Sequence, residues 1–181
     1  MNERLIQSVK DKLDFAFTAL SQAEDYIHHP AGLWYHSIAI MNAYYALREE
    51  LTNRTSNSHD TALDAVVKKW LANNKQALDA AFGTARNKAT HQGTVVVKGT
   101  FFNEYDSIAD ATGPRQTAKI TVDGTGVIDM KAHDFLGVAK RAFVLLEDGI
   151  MEINRLYKEN GGSSHSLHEQ PMSSSFKNMK L

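Results

Sequence analysis

The chain contains no cysteine. Disulfides, thiolate metal sites and cysteine nucleophiles are therefore excluded. Proline is scarce, with three residues in 181, and none falls between Leu33 and Thr52. Neither sign of charge is in excess: 20 Lys and Arg face 21 Asp and Glu, for a formal charge of -1. No surface coated for polyanions follows, so any nucleic-acid contact must be local. No apolar run approaches the roughly 20 residues that span a bilayer. The opening Met-Asn-Glu-Arg leads into an amphipathic stretch and not into an apolar signal core. The expectation is a soluble, cytoplasmic protein with no membrane partner. Hydrophobic residues at 43% and charged residues at 23% are ordinary for one globular domain that buries its own core.

Helical periodicity begins at once. Leu5, Val9, Leu13, Ala16, Phe17, Leu20, Ala23 and Ile27 recur at three- and four-residue steps, predicting a helix over 3–28 that Pro30 ends or redirects. A second helix is predicted from about Leu33 to Thr52. Its two apolar stripes, Trp34/Ile38/Met41/Tyr45 and Leu33/Ile40/Tyr44/Leu47/Leu51, mark the central helix of a bundle. Thr52 to Ser58 reads as a polar loop. A third helix starts near Asp60, a capping residue, with Leu63, Val66, Val67, Trp70 and Leu71 on its apolar face. Ala72-Asn73-Asn74 is a weak spot that would split it. Its second piece carries Leu78, Ala81, Phe82, Ala85 and Ala89 and stops before Gly93.

From Thr94 the period changes. Val95-Val96-Val97 and Phe101-Phe102 read as strand, and Lys119–Val122 and Gly126–Ile128 flank Asp123-Gly124, a hairpin turn signal. A last helix over 131–158 carries Leu136, Ala139, Phe143, Leu146, Ile150, Ile153 and Tyr157 on one face. The polar tail 161–181 has little to bury and is expected to be disordered. The fold class is thus mainly α: an antiparallel helical bundle over 1–160, with a small β-hairpin insertion (94–130) before the last helix.

One segment stands out for chemistry: Arg86-Asn87-Lys88-Ala89-Thr90-His91. On an ideal helix with the stripe Leu78, Phe82, Ala85 and Ala89 near zero, Asn87 falls at roughly 180° and His91 at roughly 220°, while Arg86 sits near 80°. Asn87 and His91 are four apart and can hydrogen-bond. Arg86 and His91 converge only if the helix ends or bends here, or if a partner chain closes the site. An outward His beside Asn and Arg suits metal-free RNA cleavage. Imidazole serves as acid and base near neutrality, and guanidinium is a fixed, bidentate phosphate partner. Chance supplies roughly 0.3 Arg/His pairs at this spacing in such a composition, and roughly 0.02 with Asn after the Arg. Arg54 and His59 share the spacing but lack the Asn and lie in the predicted loop, where nothing would fix their geometry. They read as a solvated coincidence.

Arg86–His91 resembles the Arg-Asn-x-x-x-His motif of the HEPN superfamily. Met41-Asn42-Ala43-Tyr44-Tyr45-Ala46-Leu47 is similar to the Tyr-Tyr-Ala stretch in the second helix of small HEPN proteins. The resemblance covers roughly 5–92 and 131–158 and leaves out the β insertion and the tail. It implies a metal-independent endoribonuclease that needs no cofactor and acts on RNA as a homodimer. By carry-over, His91 is the general acid/base, Arg86 holds the scissile phosphate and Asn87 orients His91. Family members serve as toxins and in phage defence, which implies a cognate antitoxin or regulatory protein as a further partner. Toxins paired with nucleotidyltransferase antitoxins often carry a Tyr two residues after the motif His, where this chain has Gly93. Lys88 and Lys98, with Arg115 and Lys119, are candidates for a local RNA-binding patch; scattered solvated charge accounts for each at least as well. The rival reading is a non-catalytic HEPN-like helical module that binds a partner protein or nucleotide.

Other candidates carry less. Glu24, His28, His29 and His36 cluster near Pro30, but a bundle metal site calls for Glu-x-x-His on facing helices, and no second copy exists. His36 reads as a buried core histidine. His133 and Asp134 read as complements to a helix start. His165 and His168 read as tail composition. Tyr44, Tyr45, Trp34 and Trp70 fall on apolar stripes and read as core. No metal site is expected.

Overall fold

The computed structural model describes residues 3–27, 30–57, 60–82, 95–100, 117–122, 128–161 and 175–180. Among them are four long helices: α1 (Glu3–Asp25), α2 (Pro30–Asn57), α3 (Thr61–Phe82) and α4 (Ala132–Glu159). α1 buries Val9, Leu13, Ala16, Leu20 and Ala23 as the periodicity requires. It stops three residues short of the predicted end. There the Tyr26 and Ile27 N–H groups turn back to the carbonyls of Ala23 and Glu24, the tightened bonds of a final turn. Pro30 opens α2 instead of preceding it, because a first-turn residue needs no N–H donor.

α2 also outlasts the predicted stop at Thr52. The Thr52 hydroxyl donates to the Arg48 carbonyl at 2.8 Å, so a residue read as loop is absorbed into the helix. Its burial forms one broad face, with Leu33, Ser37, Ile40, Tyr44, Leu47 and Leu51 at its centre. Trp34, expected in the core, is 43% exposed on the margin of that face. Asp60 caps α3 as expected, accepting from the Leu63 N–H at 3.0 Å. The expected break at 72–74 is absent. The Asn74 amide donates to the Trp70 carbonyl at 2.9 Å and so follows the helix.

The helices close into an up-and-down bundle. Lys12 in the middle of α1 meets Glu50 in the last third of α2, while Tyr26 after α1 stacks on His36 early in α2. Tyr44 of α2 reaches Leu78 of α3, and Tyr157 late in α4 donates to Asp60 at the head of α3. α4 returns along both α1 and α3. Close approach is permitted by two glycines. A Cβ on Gly32 would lie 2.3 Å from the Tyr26 ring, and one on Gly149 would lie 1.9 Å from the Trp70 indole. None of the described helices is long and apolar enough to cross a membrane.

Between α3 and α4, where a small β-hairpin insertion was expected, lies a three-stranded antiparallel sheet. β1 (Val95–Thr100), β2 (Thr117–Val122) and β3 (Ile128–Lys131) pair in chain order. Asp123-Gly124, the expected turn, lies outside the described residues, as do Phe101 and Phe102. β1 runs beside α2, and β2 and β3 run beside α4. The alternation makes the sheet two-faced by register. Val95, Val97, Ala118, Ile120, Val122, Ile128 and Met130 share one face; Lys98, Lys119 and Lys131 share the other with Val96, Asp129 and three threonines.

The tail corrects a second expectation. Residues 175–180 are placed against the bundle, and Phe176, in a short 3₁₀ turn η1 (Phe176–Asn178), has no exposed surface. Its ring stacks on Phe143 at 5.0 Å and meets Phe17 edge-on at 5.5 Å. Composition pointed to disorder because one aromatic among polar residues hardly alters a window average. Burying a single ring is nevertheless enough to anchor a short segment.

Gly149→Ala should lower stability by about 1–3 kcal/mol, since the overpacking against Trp70 outweighs the better helix propensity of Ala. Urea unfolding measures this; an unchanged or raised midpoint would contradict the seating of Trp70 over Gly149.

Candidate functional site

Arg86, Asn87, Lys88 and His91 all fall within 83–94, outside the described residues. The structure does place the stem on which that segment grows. Leu78 and Phe82, at 1% and 2% exposure, set the phase of the last turns of α3. They are two of the four stripe residues against which the ideal-helix angles of Asn87 and His91 are set.

Two side chains of α2 pin this stem. The Tyr44 phenol donates to the Leu78 carbonyl at 2.6 Å in the buried interior. One turn on, the Arg48 guanidinium meets Asp79 at 2.9 Å, and Lys75 reaches the other oxygen of the same carboxylate at 2.5 Å. Arg48 also sits over the Tyr44 ring, 5.8 Å from its centre. The rings of Tyr44 and Phe82 pack edge-on at 5.0 Å, and Phe82 leans on Phe135 of α4 at 5.7 Å. Phe82 is the last described residue before the motif, so the described part of α3 ends on an aromatic anchorage.

The electrostatics fit this. Burial pushes the Tyr44 phenol up to about 12, with Arg48 opposing the shift only in part. Lys75 first, then Arg48, holds the Asp79 carboxyl below its ordinary value. The ionised Asp79 thus stabilises the stem at neutral pH, and that contribution fades as acid protonates it. Sequence reading singled out Tyr44 but missed the clamp. The Lys75/Asp79 spacing of four was legible as a helical pair; the meeting of Arg48 with Asp79, 31 residues apart, carried no local signal.

Lys98 lies on β1, where the register sets it opposite Lys119, and Lys119 in turn opposite Lys131. Three lysines therefore occupy one cross-strand row, at the ~5 Å strand spacing of a sheet. Like charges directly opposite destabilise a sheet by themselves, and Asp129 lies on the same face, two residues from Lys131. Sequence reading flagged Lys98 and Lys119 and missed Lys131, because only register brings it into line. Arg115 lies outside the described residues.

The remaining candidates separate. Arg54 lies in the last turns of α2, not in a loop, and His59 is outside the described residues. His28, His29, His165 and His168 are outside them as well. His36 is buried, stacked on Tyr26 at 5.1 Å and edge-on to Tyr35 at 5.4 Å. His133 and Asp134 are exposed in the first turn of α4. Among the described residues no group of three or more His, Asp or Glu could hold a metal ion. Among the described residues, an open groove of about 580 Å³ between α1 and α2 is lined by Phe15, Asn42 and Ala46 among others.

No family model, curated protein or solved structure matches the chain.

Tyr44→Phe should cost about 1 kcal/mol by removing the bond to Leu78. It should also change alkaline unfolding. The folded-state value of the phenol is raised, so its contribution is complete below pH 10 and is lost as pH climbs toward about 12. The wild type should therefore lose more stability than Tyr44→Phe across that window. Parallel alkaline curves for the two proteins would contradict the buried phenol.

Proposed function

We propose that this protein is a metal-independent endoribonuclease of the HEPN type, acting as a homodimer. The observation that carries the reading is the Arg86-Asn87-Lys88-Ala89-Thr90-His91 segment, which begins four residues past the anchored end of α3. In the proposed reaction the ribose 2′-hydroxyl attacks the neighbouring phosphorus in line. One imidazole takes the hydroxyl proton and a second protonates the departing 5′-oxygen. The products are a 2′,3′-cyclic phosphate and a 5′-hydroxyl. His91 from each of two copies fills the two proton roles, because each chain offers one such residue. Arg86 binds the phosphate and stabilises the charge that builds on its oxygens, and Asn87 orients His91. Lys88 lies next to these residues in the chain and is assigned to substrate binding with Lys98.

The helical bundle supports this reading as a rigid frame for the stem. The row of Lys98, Lys119 and Lys131 supports it as a cationic track for a phosphate backbone in a protein of formal charge -1. The setting that goes with this activity is a cytoplasmic toxin or phage-defence protein, held in check by a cognate antitoxin or regulatory protein. No cofactor enters the proposed chemistry.

Purified protein incubated with RNA in chelator-containing buffer should leave 2′,3′-cyclic phosphate ends. His91→Ala and Arg86→Ala should each lower cleavage by about 10²–10⁴-fold while helicity and dimerisation stay intact. Cleavage that persists in both variants would overturn the assignment. Replacing Lys119 by Ala should weaken RNA binding and lower the slope of log affinity against log salt by about 1; an unchanged slope would remove the sheet from the binding surface.

A further inference from the structure

The C-terminal segment is held as a ligand is held. Phe176 inserts a fully buried ring between Phe17 of α1 and Phe143 of α4. Its backbone N–H donates to the Glu147 carboxylate at 3.2 Å. Glu147 is only 5% exposed; besides this N–H, its carboxylate acts on the charge of Lys177. A buried carboxylate is costly unless a donor meets it. The donor comes from the tail and not from the bundle. Next in line, Lys177 pairs with Asp148 at 2.6 Å. On the far side Lys140 donates to the Met179 carbonyl, and Met179 itself is buried. Lys140, Phe143 and Glu147 follow at three- and four-residue steps and share one face of α4.

Connectivity does not impose this docking. Glu147 lies twelve residues before Glu159, about 18 Å back along the helix. The thirteen residues 162–174 can span roughly 45 Å. The chain is long enough for the segment to sit elsewhere, so the contacts themselves select the cleft.

We propose that the α1–α4 cleft is a recognition site for a short peptide in which an aromatic residue is followed by a basic one, and that the chain's own C-terminal segment is its tethered, exchangeable occupant. Each part of the cleft reads one feature. Phe17 and Phe143 take the aromatic ring, Glu147 takes the backbone N–H beside it, and Asp148 takes the following cation. A tether of this length supplies an effective concentration on the order of millimolar. A free peptide of the same sequence therefore competes poorly until the resident is weakened. A partner protein presenting such a peptide would face the same barrier, which makes the tail a built-in competitor for this surface.

The test uses the full-length chain and a labelled synthetic peptide spanning Met172 to Leu181, followed by fluorescence anisotropy. The wild type should show no saturable binding at micromolar peptide. Phe176→Ala, which empties the cleft in place, should bind the peptide one to one, at least 10-fold more tightly than the wild type. Adding Glu147→Ala to Phe176→Ala should weaken that binding at least 10-fold. Lys177→Glu leaves the buried ring intact and sets a third negative charge beside Glu147 and Asp148; it should raise apparent peptide affinity several-fold over the wild type. Adding Asp148→Lys should restore the pair and exclude the peptide again. Failure of the peptide to bind either released variant, with helicity retained, would overturn the proposal. So would loss of the helical fold on Phe176→Ala, which would make the segment part of the core and not an exchangeable ligand. RNA cleavage plays no part in these readouts.

Discussion

The bundle turns on the Tyr44 phenol, a polar group that must be satisfied where water does not reach. Its ring is closed in by Phe82, Phe143 and Tyr45, and its hydroxyl finds the Leu78 carbonyl at 2.6 Å. That bond fixes the height of α3 against α2, because it joins one phenol to one carbonyl and tolerates no sliding by a turn. A purely apolar contact would tolerate more, since close-packed side chains can re-pair with little penalty when their volumes match. The Arg48–Asp79–Lys75 cluster then holds the outer side of the same turn. Together they pin the last described turns of α3 against α2.

From that fixed point a ladder of aromatic rings runs across the interior. Phe135 packs on Phe82, Phe82 on Tyr44, Tyr44 on Phe143, Phe143 on Phe176, and Phe176 on Phe17. Edge-on and stacked pairs of this kind add to the burial of the rings themselves. The ladder crosses all four helices and ends on the ring of Phe176, seated between Phe143 of α4 and Phe17 of α1. The Trp70 notch over Gly149 and the Tyr26 notch over Gly32 do similar work at the margins, where absence of a side chain lets a ring lie flat on a helix.

Much of this was legible in the chain. The period of the apolar residues located α1, α3 and α4, and the alternation after Thr94 marked strand structure before the last helix. Asp60 was readable as a cap because its chemistry is local. What escaped was whatever depends on partners far away in sequence. Thr52 and Asn74 looked like breakers, yet each turns its side chain onto its own helix. Trp34 matched an apolar stripe, but the helices meet along a face that leaves it at the edge. Lys131 joins Lys98 and Lys119 only through strand register, and Phe176 gains its place only through the fold of α1 and α4. The candidate chemistry was the reverse case. Arg86, Asn87 and His91 were legible as a motif from the chain alone, and what the fold adds is the stem that carries them.

The absence of cysteine makes the central claim directly measurable. His91→Cys in full-length protein would place the only thiol in each chain at the position assigned to general acid/base catalysis. If two copies of this position share one groove, a short bifunctional thiol crosslinker should convert the protein efficiently to a covalent dimer, and RNA added beforehand should protect against it. Thiols that react singly while the chains stay unlinked would contradict the account.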